Sequence, residues 1–373
     1  MAEKSPKIYL IAGEASGDLH GANLAMELKK QFPTGNFRFW GGDLMAKELG
    51  TPVKHIRDLA FMGFVEVVRH LGTILGNISF CKKDILDFQP DVLVLIDYPG
   101  FNLRIAEWAK KQGIKVVYYI SPQIWAWKQN RVYKIKRCVD AMLCILPFEK
   151  DFYQKFDYNA DYVGHPLVDE IEKFKQLPKE NFREKHQLSE KPILAILPGS
   201  RRQEISRKLP IMLEAMRQFP DYQCVIAGAP SIEHEYYRQF LKNNELIVFN
   251  ETYSLLQDAE IAMVKSGTST LETALFRVPE VVCYIGNSLS YHIAKRIIKV
   301  KYISLVNLIM DKEVVRELIQ NDCTAKNITE ELKKLTSGQP KRAEVLKQYD
   351  QLISMLGGGG ASAQAAKKIA EIL

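Results

Sequence analysis

Several sequence features are missing from this chain of 373 residues, and each absence excludes a class of protein. Its six cysteines are scattered, with no Cys-x-x-Cys pair and no His/Cys cluster at metal-ligand spacing, which favours buried free thiols in a reducing compartment. No apolar run approaches the roughly 18 residues that a membrane-spanning helix needs. The glycine motifs GxGxxG and GxxxxGK[ST] are absent as well, so the sequence predicts neither a dinucleotide-binding fingerprint nor a P-loop.

The N-terminal segment has too little apolar sequence for a signal peptide. The stretch Ile8–Ala12 is short and is followed at once by Glu14 and Asp18. We therefore expect a cytoplasmic protein. The formal net charge of +7 would suit an anionic partner, but the aromatic residues do not interleave with the basic ones as in nucleic-acid motifs, so nucleic acid is not an expected partner.

The order of apolar and polar residues predicts an α/β protein. The chain is too long for one ordinary core, and hydrophobic residues make up 47% of it, which is enough for two. Short apolar strands, of which Asp91–Asp97 is the most apolar, alternate with helical stretches, and this alternation restarts after Pro166. Such a pattern is typical of parallel sheets that helices cover on both faces.

We therefore predict two doubly wound, Rossmann-like domains that face a cleft. The first domain comprises residues 1–164 and the second residues 165–339, with a hinge at Val163–Leu167. Beyond about residue 311 the strands are expected to stop. A helical C-terminal tail, from about residue 340 to 373, is expected to join the first domain, and its helices could instead be swapped between the chains of a homodimer.

One strand-to-helix loop of the second half has the composition of a phosphate site. Ligands of doubly wound sheets bind beyond the carboxyl ends of the strands. After the strand that ends at Leu197, Gly199 and Ser200 offer backbone N–H groups and a hydroxyl, and Arg201 offers a guanidinium just before a helix. The alternative is a capped helix start with solvated arginines.

A second loop of that half follows the same plan. Ser266, Gly267 and Thr268 lie at the start of the next predicted helix, where a second phosphate could bind. Glu272 could accept hydrogen bonds from a ribose diol, or it could complete a capping box with Ser269. Two such loops in one half favour a nucleotide diphosphate there.

The first half supplies a candidate base. Asp97 ends the most apolar strand, so its carboxylate is expected at the functional edge of the sheet, where it could deprotonate an acceptor hydroxyl. The alternative role is a cap ahead of Asn102. The loop Gly13–Asp18 has the small residues that a close approach to a ligand needs, although a simple tight turn would also explain it. The runner-up bases are His20, Glu14, Asp18 and His165.

Several motifs together show which family this chain resembles. They run through nearly the whole sequence: Ala12–Asp18, Phe61–Val67, Ile96–Asn102, Tyr119–Trp127, Leu146–Glu149, Leu197–Arg201, Ser266–Thr268 with Leu271–Glu272, and Tyr302–Asn307. The first of them and the Trp-Ala-Trp run that ends at Trp127 are the most specific. On these residues the chain closely resembles the bacterial lipid-A-disaccharide synthases, which are inverting, metal-independent glycosyltransferases of the GT-B class.

The resemblance implies a reaction. 2,3-Diacylglucosamine passes from its UDP donor to the 6-hydroxyl of 2,3-diacylglucosamine 1-phosphate (lipid X), which gives a β-1′,6-linked disaccharide 1-phosphate and UDP. No metal or other cofactor is implied. The implied roles are Asp97 as base, Gly199, Ser200, Arg201, Ser266, Gly267, Thr268 and Glu272 on the donor side, and Glu14, Ser16 and Asn307 as further active-site residues.

The sequence departs from the family pattern at two positions. Val306 stands where many members have proline, which should alter loop stiffness more than chemistry. Arg202 stands where a small residue is common, which puts the fine geometry of the phosphate loop in question.

Other functions stay open at this point. The nearest alternative is another UDP-sugar enzyme of the same two-lobe fold, such as a UDP-GlcNAc transferase of peptidoglycan synthesis or a 2-epimerase, although the glycine-rich N-terminal loop of the former is missing. A non-catalytic module that binds UDP would carry the same loops. A dinucleotide-dependent oxidoreductase is disfavoured because the chain lacks GxGxxG.

An apolar segment of the first half predicts a membrane-contact surface. Residues 61–80 hold more apolar side chains than one helix face needs for its own core, so some should be exposed. The implied substrates are acylated, and the basic segment Lys128–Arg137 would attract the anionic cytoplasmic face of the inner membrane. The alternative is that the apolar residues are all core. The predicted patch comprises Phe61, Met62, Phe64, Val68, Leu71 and Leu75.

Overall fold

The computed structural model describes residues 5–59, 71–242, 245–287 and 300–373. The chain divides into two compact units, of which the first comprises Met1–Asp169 with Gly358–Leu373 and the second comprises Glu170–Gly357. The first unit thus ends a few residues beyond residue 164, where the sequence places the end of the first domain.

Parallel strands form the centre of the first unit. Its strands are β1 (Lys7–Ala12), β2 (Asn36–Gly41), β3 (Lys54–His55), β4 (Val92–Ile96), β5 (Lys115–Tyr119), β6 (Ala141–Cys144) and β7 (Asp161–Tyr162). They form one sheet in the order β3-β2-β1-β4-β5-β6-β7. The helices along this part of the chain are α1 (Ala15–Gln31), α2 (Asp43–Leu49), α3 (Leu71–Phe88), α4 (Pro99–Lys111), α5 (Arg131–Cys138), α6 (Pro147–Gln154) and α7 (Pro166–Gln176), with a 3₁₀ turn at Ile56–Asp58.

The second unit repeats this plan. Its strands are β8 (Ile193–Leu197), β9 (Gln223–Gly228), β10 (Leu246–Phe249), β11 (Ala259–Lys265), β12 (Glu280–Tyr284) and β13 (Arg316–Ile319), in the parallel order β10-β9-β8-β11-β12-β13. Its helices are α8 (Phe182–Lys185), α9 (Arg202–Met216), α10 (His234–Arg238), α11 (Thr252–Asp258), α12 (Thr268–Leu275), α13 (Leu305–Met310), α14 (Ala325–Lys333) and α15 (Pro340–Leu356), with a 3₁₀ turn at Gln320–Asp322.

The apolar strands are buried on both faces, as the sequence predicts. All five residues of β4, Val-Leu-Val-Leu-Ile, have no exposed surface, and β8 is nearly as buried. Burial on both faces is what a parallel sheet between two layers of helices requires. The predicted class, two doubly wound α/β domains, is therefore confirmed.

The prediction that strands stop after about residue 311 is wrong, because β13 lies at Arg316–Ile319. Its sequence, Arg-Glu-Leu-Ile, carries two charged residues and only Leu318 is fully buried, so it gives no apolar run to detect. The strand nevertheless pairs in parallel with β12, from Val281 opposite Arg316 to Tyr284 opposite Ile319. It is the edge strand of its sheet, where burial is incomplete.

The C-terminal tail divides between the two units, so its assignment to the first domain from about residue 340 is wrong for its first part. Helix α15 belongs to the second unit, where Arg342 donates hydrogen bonds to the carbonyls of Glu260 and Leu335 (2.8 and 3.0 Å) and Tyr349 is fully buried. The last helix, α16 (Ala361–Ile372), packs on α1 of its own chain, and Asp169 caps its N-terminus by accepting from the amide of Ala361 (3.3 Å).

The strand order places one switch point in each sheet. In the first unit the order reverses between β1 and β4, and in the second unit between β8 and β11. Ligands of open parallel sheets bind at such points, beyond the carboxyl ends of the strands. The four loops that follow these strands contain Glu14, Asp97, Ser200 and Gly267, which are all residues that the sequence singled out.

Candidate active site

Asp97 lies in a strained turn at the end of β4. Asp97 and Tyr98 both have left-handed backbone conformations (φ 46° and 49°), which cost free energy for residues other than glycine. Hydrogen bonds to the Asp97 backbone hold this turn: its N–H donates to the carbonyl of Tyr119 (3.0 Å), and its carbonyl accepts from the amide of Asn102 (2.8 Å). Tyr98, rather than Asp97, occupies the N-cap position of α4.

The surroundings of Asp97 favour its protonated form. Burial, and then the negative charge of Glu14, raise the pKa of Asp97 from its ordinary value of 3.8 to about 6. A hydrogen bond from the backbone of Tyr98 opposes the increase. A carboxylate with a pKa near neutrality is a stronger base than an ordinary aspartate and is still mostly ionised at about pH 7. The geometry therefore suits proton abstraction.

A cavity of about 270 Å³ opens beside Asp97 within the first unit. Its walls come from the turn after β4, the loop between β5 and α5, the start of α5, and the segment from β6 into α6. Ile120 in this wall has φ 67°, a conformation that is rare for a β-branched residue and is typical of strained functional sites. The polar side chains that line the cavity are Asp97, Ser121, Gln123, Trp127, Arg131 and Glu149.

Glu149 is a second carboxyl group with a raised pKa in this cavity. Complete burial raises the pKa of Glu149 to about 7, although it accepts hydrogen bonds from the N–H of Leu146 (3.1 Å) and the indole of Trp125 (3.0 Å). Trp125 in turn packs edge-on against Phe148. These contacts fix the loop that carries Trp127, so we interpret Glu149 as a residue that positions this wall.

The loop after β1 lies against the Asp97 turn. A side-chain carbon on Gly13 would overlap the ring of Tyr98, so only glycine fits there. Glu14 is exposed at the N-cap of α1, near enough to Asp97 to raise its pKa, and Ser16 is exposed in the first turn of α1. The sequence-predicted residues Glu14, Ser16 and Asp97 thus belong to neighbouring loops at the β1–β4 switch point.

The runner-up bases have other roles. Asp18 accepts backbone hydrogen bonds from Gly42, Leu44 and Met45 (2.6, 3.0 and 3.1 Å), so it caps α2 and has no open face for a substrate. His165 is buried, and burial together with neighbouring His20 lowers its pKa to about 3, which leaves it a weak base.

The second unit contains a larger cavity of about 620 Å³ at its own switch point. Its walls are formed by the loops that follow β8, β9, β10 and β11. Gly199, Ser200, Gly267, Thr268 and Glu272 of the predicted donor site all line it. The side chains that sequence reasoning did not select include Phe174, Tyr253 and Lys265.

An internal carboxylate occupies part of the predicted phosphate loop. Glu204 in α9 accepts a hydrogen bond from the amide of Ser200 (3.2 Å) and pairs with Lys265 at the end of β11 (3.2 Å). Burial opposes the ionisation of Glu204, but Lys265, Lys208 and the Ser200 amide outweigh it and lower the pKa. Gly199 has φ 116°, and a side chain there would meet the Glu204 carboxylate, so this contact explains the glycine.

The charged groups around this loop differ in their exposure. Arg201 is exposed at the N-cap of α9 and does not line the cavity, whereas Lys265 does. Arg202 pairs with Glu233 and stacks on Tyr236, away from the cavity. Lys208 is buried, and burial lowers its pKa to about 8. Among the described residues that line this cavity, Lys265 is therefore the one cation, and the sequence shows it only as the residue before Ser266.

The loop after β11 is built as a helix start. The N-cap residue of α12 is Gly267, not Ser269, so a capping box with Ser269 as its N-cap is not formed. Glu272 nevertheless interacts with the Ser269 side chain, and it accepts a hydrogen bond from the hydroxyl of Tyr253 (3.2 Å) at the cavity wall. Burial raises the pKa of Glu272, and these two hydrogen bonds oppose the increase. Ser266 is buried, and its hydroxyl donates to the carbonyl of Ile303 (2.8 Å), so it holds the loop.

Asn307 lies in the interior of the second unit. It is fully buried; its amide donates to the carbonyl of Val315 (2.8 Å), and its oxygen accepts from the N–H of Val314 (2.8 Å). Its side chain therefore joins α13 to the segment before β13. Val306 is buried in the first turn of α13, where proline would also fit a helix.

The predicted membrane patch is only partly described. Phe61, Met62, Phe64 and Val68 lie outside the described residues, and of Leu71 only its place at the start of α3 is described. Leu75 is 56% exposed, and Phe80 and Leu86 on the same helix are 48% exposed. None of the helices in the described ranges is long and apolar enough to cross a membrane.

Among the described residues, no group of three or more His, Cys, Asp or Glu side chains is arranged to hold a metal ion. All six cysteines are free thiols, and five of them are buried.

The chain is similar to a known protein family and to its members. The family model for lipid-A-disaccharide synthetase matches residues 8–372. The lipid-A-disaccharide synthase of Trichlorobacter lovleyi is 38% identical over 375 residues, which cover 98% of this chain and 97% of that protein. The lipid-A-disaccharide synthase of Myxococcus xanthus is 37% identical over 380 residues, which cover 99% of this chain and 98% of that protein.

A solved structure shares the fold at low sequence identity. The UDP-GlcNAc 2-epimerase of Neisseria meningitidis, bound to UDP-GlcNAc, aligns with a TM-score of 0.68 and 14% identity over 98% of this chain and 100% of that chain. At this identity the similarity shows the fold alone, a GT-B arrangement of two parallel-sheet α/β domains.

Proposed function

The chain belongs to the lipid-A-disaccharide synthetase family of glycosyltransferases, and we propose that it joins two acylated glucosamines. The donor is UDP-2,3-diacylglucosamine and the acceptor is 2,3-diacylglucosamine 1-phosphate. The products are the β-1′,6-linked disaccharide 1-phosphate and UDP. We assign acceptor binding and the catalytic base to the first unit, and donor binding to the second.

The Asp97 site carries the catalytic part of this proposal. The carboxylate lies at the switch point of the first sheet, beside a cavity, with a pKa raised to about 6. In the reaction, the acceptor 6-hydroxyl oxygen attacks the anomeric carbon of the donor, and Asp97 takes the hydroxyl proton. The bond from that carbon to the UDP oxygen breaks on the opposite face, and its electron pair leaves with UDP, so the configuration is inverted.

The cavity of the second unit supports the donor assignment. Negative charge grows on the departing diphosphate. The N-terminus of α12 and the ammonium of Lys265, which the diphosphate would share with Glu204, are suited to stabilise it. Arg201, at the N-cap of α9, is the further cation that the sequence assigned to this side. Glu272 and Tyr253 are placed to bind hydroxyl groups of the nucleotide.

We propose that the reaction needs no metal. The sequence lacks a DxD-like pair of carboxylates on a loop, and the positive charge that such a metal would provide can come from Lys265 and Arg201. The donor is a substrate rather than a bound cofactor.

We also propose that the protein works at the cytoplasmic face of the inner membrane. Leu75 and Phe80 expose apolar surface on α3, and Trp127 is 41% exposed beside Lys128, which stacks over its ring at 4.2 Å. Aromatic side chains flanked by cations are suited to a membrane interface, and each cation near an anionic surface contributes about 1 kcal/mol. Such a contact would let the acyl chains of the substrates stay in the bilayer.

The reaction can be tested directly with purified protein. Incubation with both acyl-sugar substrates should give UDP and a disaccharide phosphate, which mass spectrometry identifies, and Asp97→Asn should reduce their formation by a factor of about 10²–10⁴. Epimerisation of the donor sugar at C2 in the absence of the acceptor would indicate a 2-epimerase instead. UDP binding without any product would indicate a non-catalytic module.

A further inference from the structure

Arg131 is a half-buried guanidinium in the wall of the Asp97 cavity. It is the first residue of α5 and lies over the ring of Trp127, 5.8 Å from its centre. None of the described residues forms an ion pair with it, whereas Lys134, one turn further along α5, pairs with Glu107 at 2.7 Å. A partly desolvated arginine without a carboxylate partner is costly unless an anion binds to it.

The acidic residues of this cavity do not serve as that partner. Asp97 and Glu149 both line the cavity, yet neither lies within ion-pair distance of Arg131. Glu149 is already bonded to the indole of Trp125 and the backbone N–H of Leu146. Arg131 is therefore a cation in this cavity that forms no ion pair with the two acidic residues that line it.

Hydrogen bonds hold the segment that carries Arg131. The indole of Trp125 donates to Glu149, and the side-chain amide of Gln129 donates to the carbonyl of Trp125 (3.0 Å). The backbone N–H of Arg131 donates to the carbonyl of Lys128 (3.0 Å). These bonds hold the backbone from which the Arg131 side chain extends, and the guanidinium itself contacts the ring of Trp127.

We propose that Arg131 binds the anomeric phosphate of the acceptor and selects phosphorylated over unphosphorylated glucosamine. This inference rests on the function proposed above. A guanidinium matches a phosphate with two parallel hydrogen bonds, which orient the group as well as bind it. The phosphate is on C1 of the acceptor and the attacking hydroxyl is on C6, so an anion site at Arg131 and a base at Asp97 recognise different ends of the same sugar. Arg131 is thus a specificity-determining residue, and it does not take part in the bond changes.

The test compares two acceptors with four proteins. The acceptors are 2,3-diacylglucosamine 1-phosphate and its unphosphorylated analogue, both with acyl chains short enough for aqueous solution. The proteins are the wild type, Arg131→Met, Arg131→Lys and Arg137→Met, which removes the same charge from an exposed position of the same helix. The rate of UDP release gives kcat and KM for each pair, and a thermal melt of each variant checks folding.

For Arg131→Met we expect kcat/KM to fall about 10- to 100-fold on the phosphorylated acceptor, mainly through KM, because charge-assisted hydrogen bonds are lost. Its kcat/KM on the unphosphorylated acceptor should be unchanged. Arg131→Lys should keep part of the preference for phosphate, and Arg137→Met should keep all of it. An equal loss on both acceptors, or an unchanged preference, would overturn the proposal.

Two further experiments are needed. The first distinguishes the acceptor phosphate from lipid headgroups as the ligand of Arg131, and the second tests Arg131 if the proposed reaction is not observed. If Arg131 recognises lipid headgroups instead, Arg131→Met will lose activity only when anionic vesicles are added, and the acceptor assignment fails. If the wild type makes no disaccharide, the proposed function fails, and ligand-observed NMR with glucosamine 1-phosphate and glucosamine still tests Arg131. Weaker binding of the phosphorylated sugar alone to Arg131→Met would support the anion site, and equal binding would refute it.

Discussion

Removing the charge of Glu14 should move the pH dependence of the reaction, because that charge acts on Asp97. The pKa of Asp97 is raised from 3.8 to about 6, which corresponds to about 3 kcal/mol in favour of the protonated form. Burial is the largest cause and Glu14 the next. Glu14→Gln removes only the smaller cause, so we expect the pKa of Asp97 to fall by less than about one pH unit.

The assay is kcat/KM against pH for UDP release. In the wild type it should increase with pH as Asp97 ionises, with a midpoint near the pKa of about 6. In Glu14→Gln the midpoint should move to lower pH, and in Glu14→Asp, which keeps the charge, it should stay closer to the wild-type value. If the midpoint stays in place in Glu14→Gln, or if the same acid limb persists in Asp97→Asn, the reasoning is refuted.

The raised pKa of Asp97 also makes the free energy of unfolding depend on pH. The folded protein holds the Asp97 proton more tightly than the unfolded chain does, so the Asp97 contribution to stability is greatest below its ordinary pKa of 3.8 and is lost as the pH rises to about 6. Asp97→Asn avoids this loss. Denaturant unfolding should find the variant more stable than the wild type above that window by up to about 3 kcal/mol, and near equal below it.

The remaining predictions concern the donor side, the metal and the membrane. Glu272→Gln should weaken UDP binding more than acceptor binding, because an amide replaces a carboxylate poorly as acceptor for a diol; unchanged UDP affinity in calorimetry would count against this role. Activity should persist in EDTA, and a loss that Mg²⁺ restores would contradict the proposed metal independence. Leu75→Glu should reduce flotation with anionic liposomes at low salt, whereas Leu177→Glu, at a leucine that is 61% exposed in the second unit, should not. Absence of flotation of the wild type at low salt would exclude the membrane contact.

Local sequence pattern was sufficient for most of the sheet architecture. Strands such as Val92–Ile96 and Ile193–Leu197 are continuous apolar runs, so burial on both faces could be read from them directly. β13 could not be found in this way, because its charged edge-strand sequence is held by pairing with β12. The sequence also predicts the wrong unit for helix α15, because periodicity shows which face of a helix is apolar but not which core covers that face.

For the candidate site too, local sequence predicted some features and only the folded structure showed the others. The residue types that follow β1, β4, β8 and β11 indicate that these loops form the site. The sequence did not show that the side chains of Asn307 and Ser266 form hydrogen bonds to backbone groups. Nor did it show that Lys265 lines the donor cavity. A hydrogen-bond partner eight or more residues away is not encoded in local spacing, so these roles depended on the folded arrangement.

What the sequence alone determined is the kind of chemistry and the part of the fold that bears it. Continuous apolar runs that alternate with helical stretches predict most of the parallel sheets, and the polar residues after the strands indicate which strand-to-helix connections carry Asp97, Ser200 and Glu272. Only the tertiary structure decided the strength of Asp97 as a base and the lack of an ion-pair partner for Arg131 among the described residues. Both depend on burial and on charges from separate segments, because electrostatic free energy is set by distances in space and by exclusion of water, and neither is a property of the order of residues.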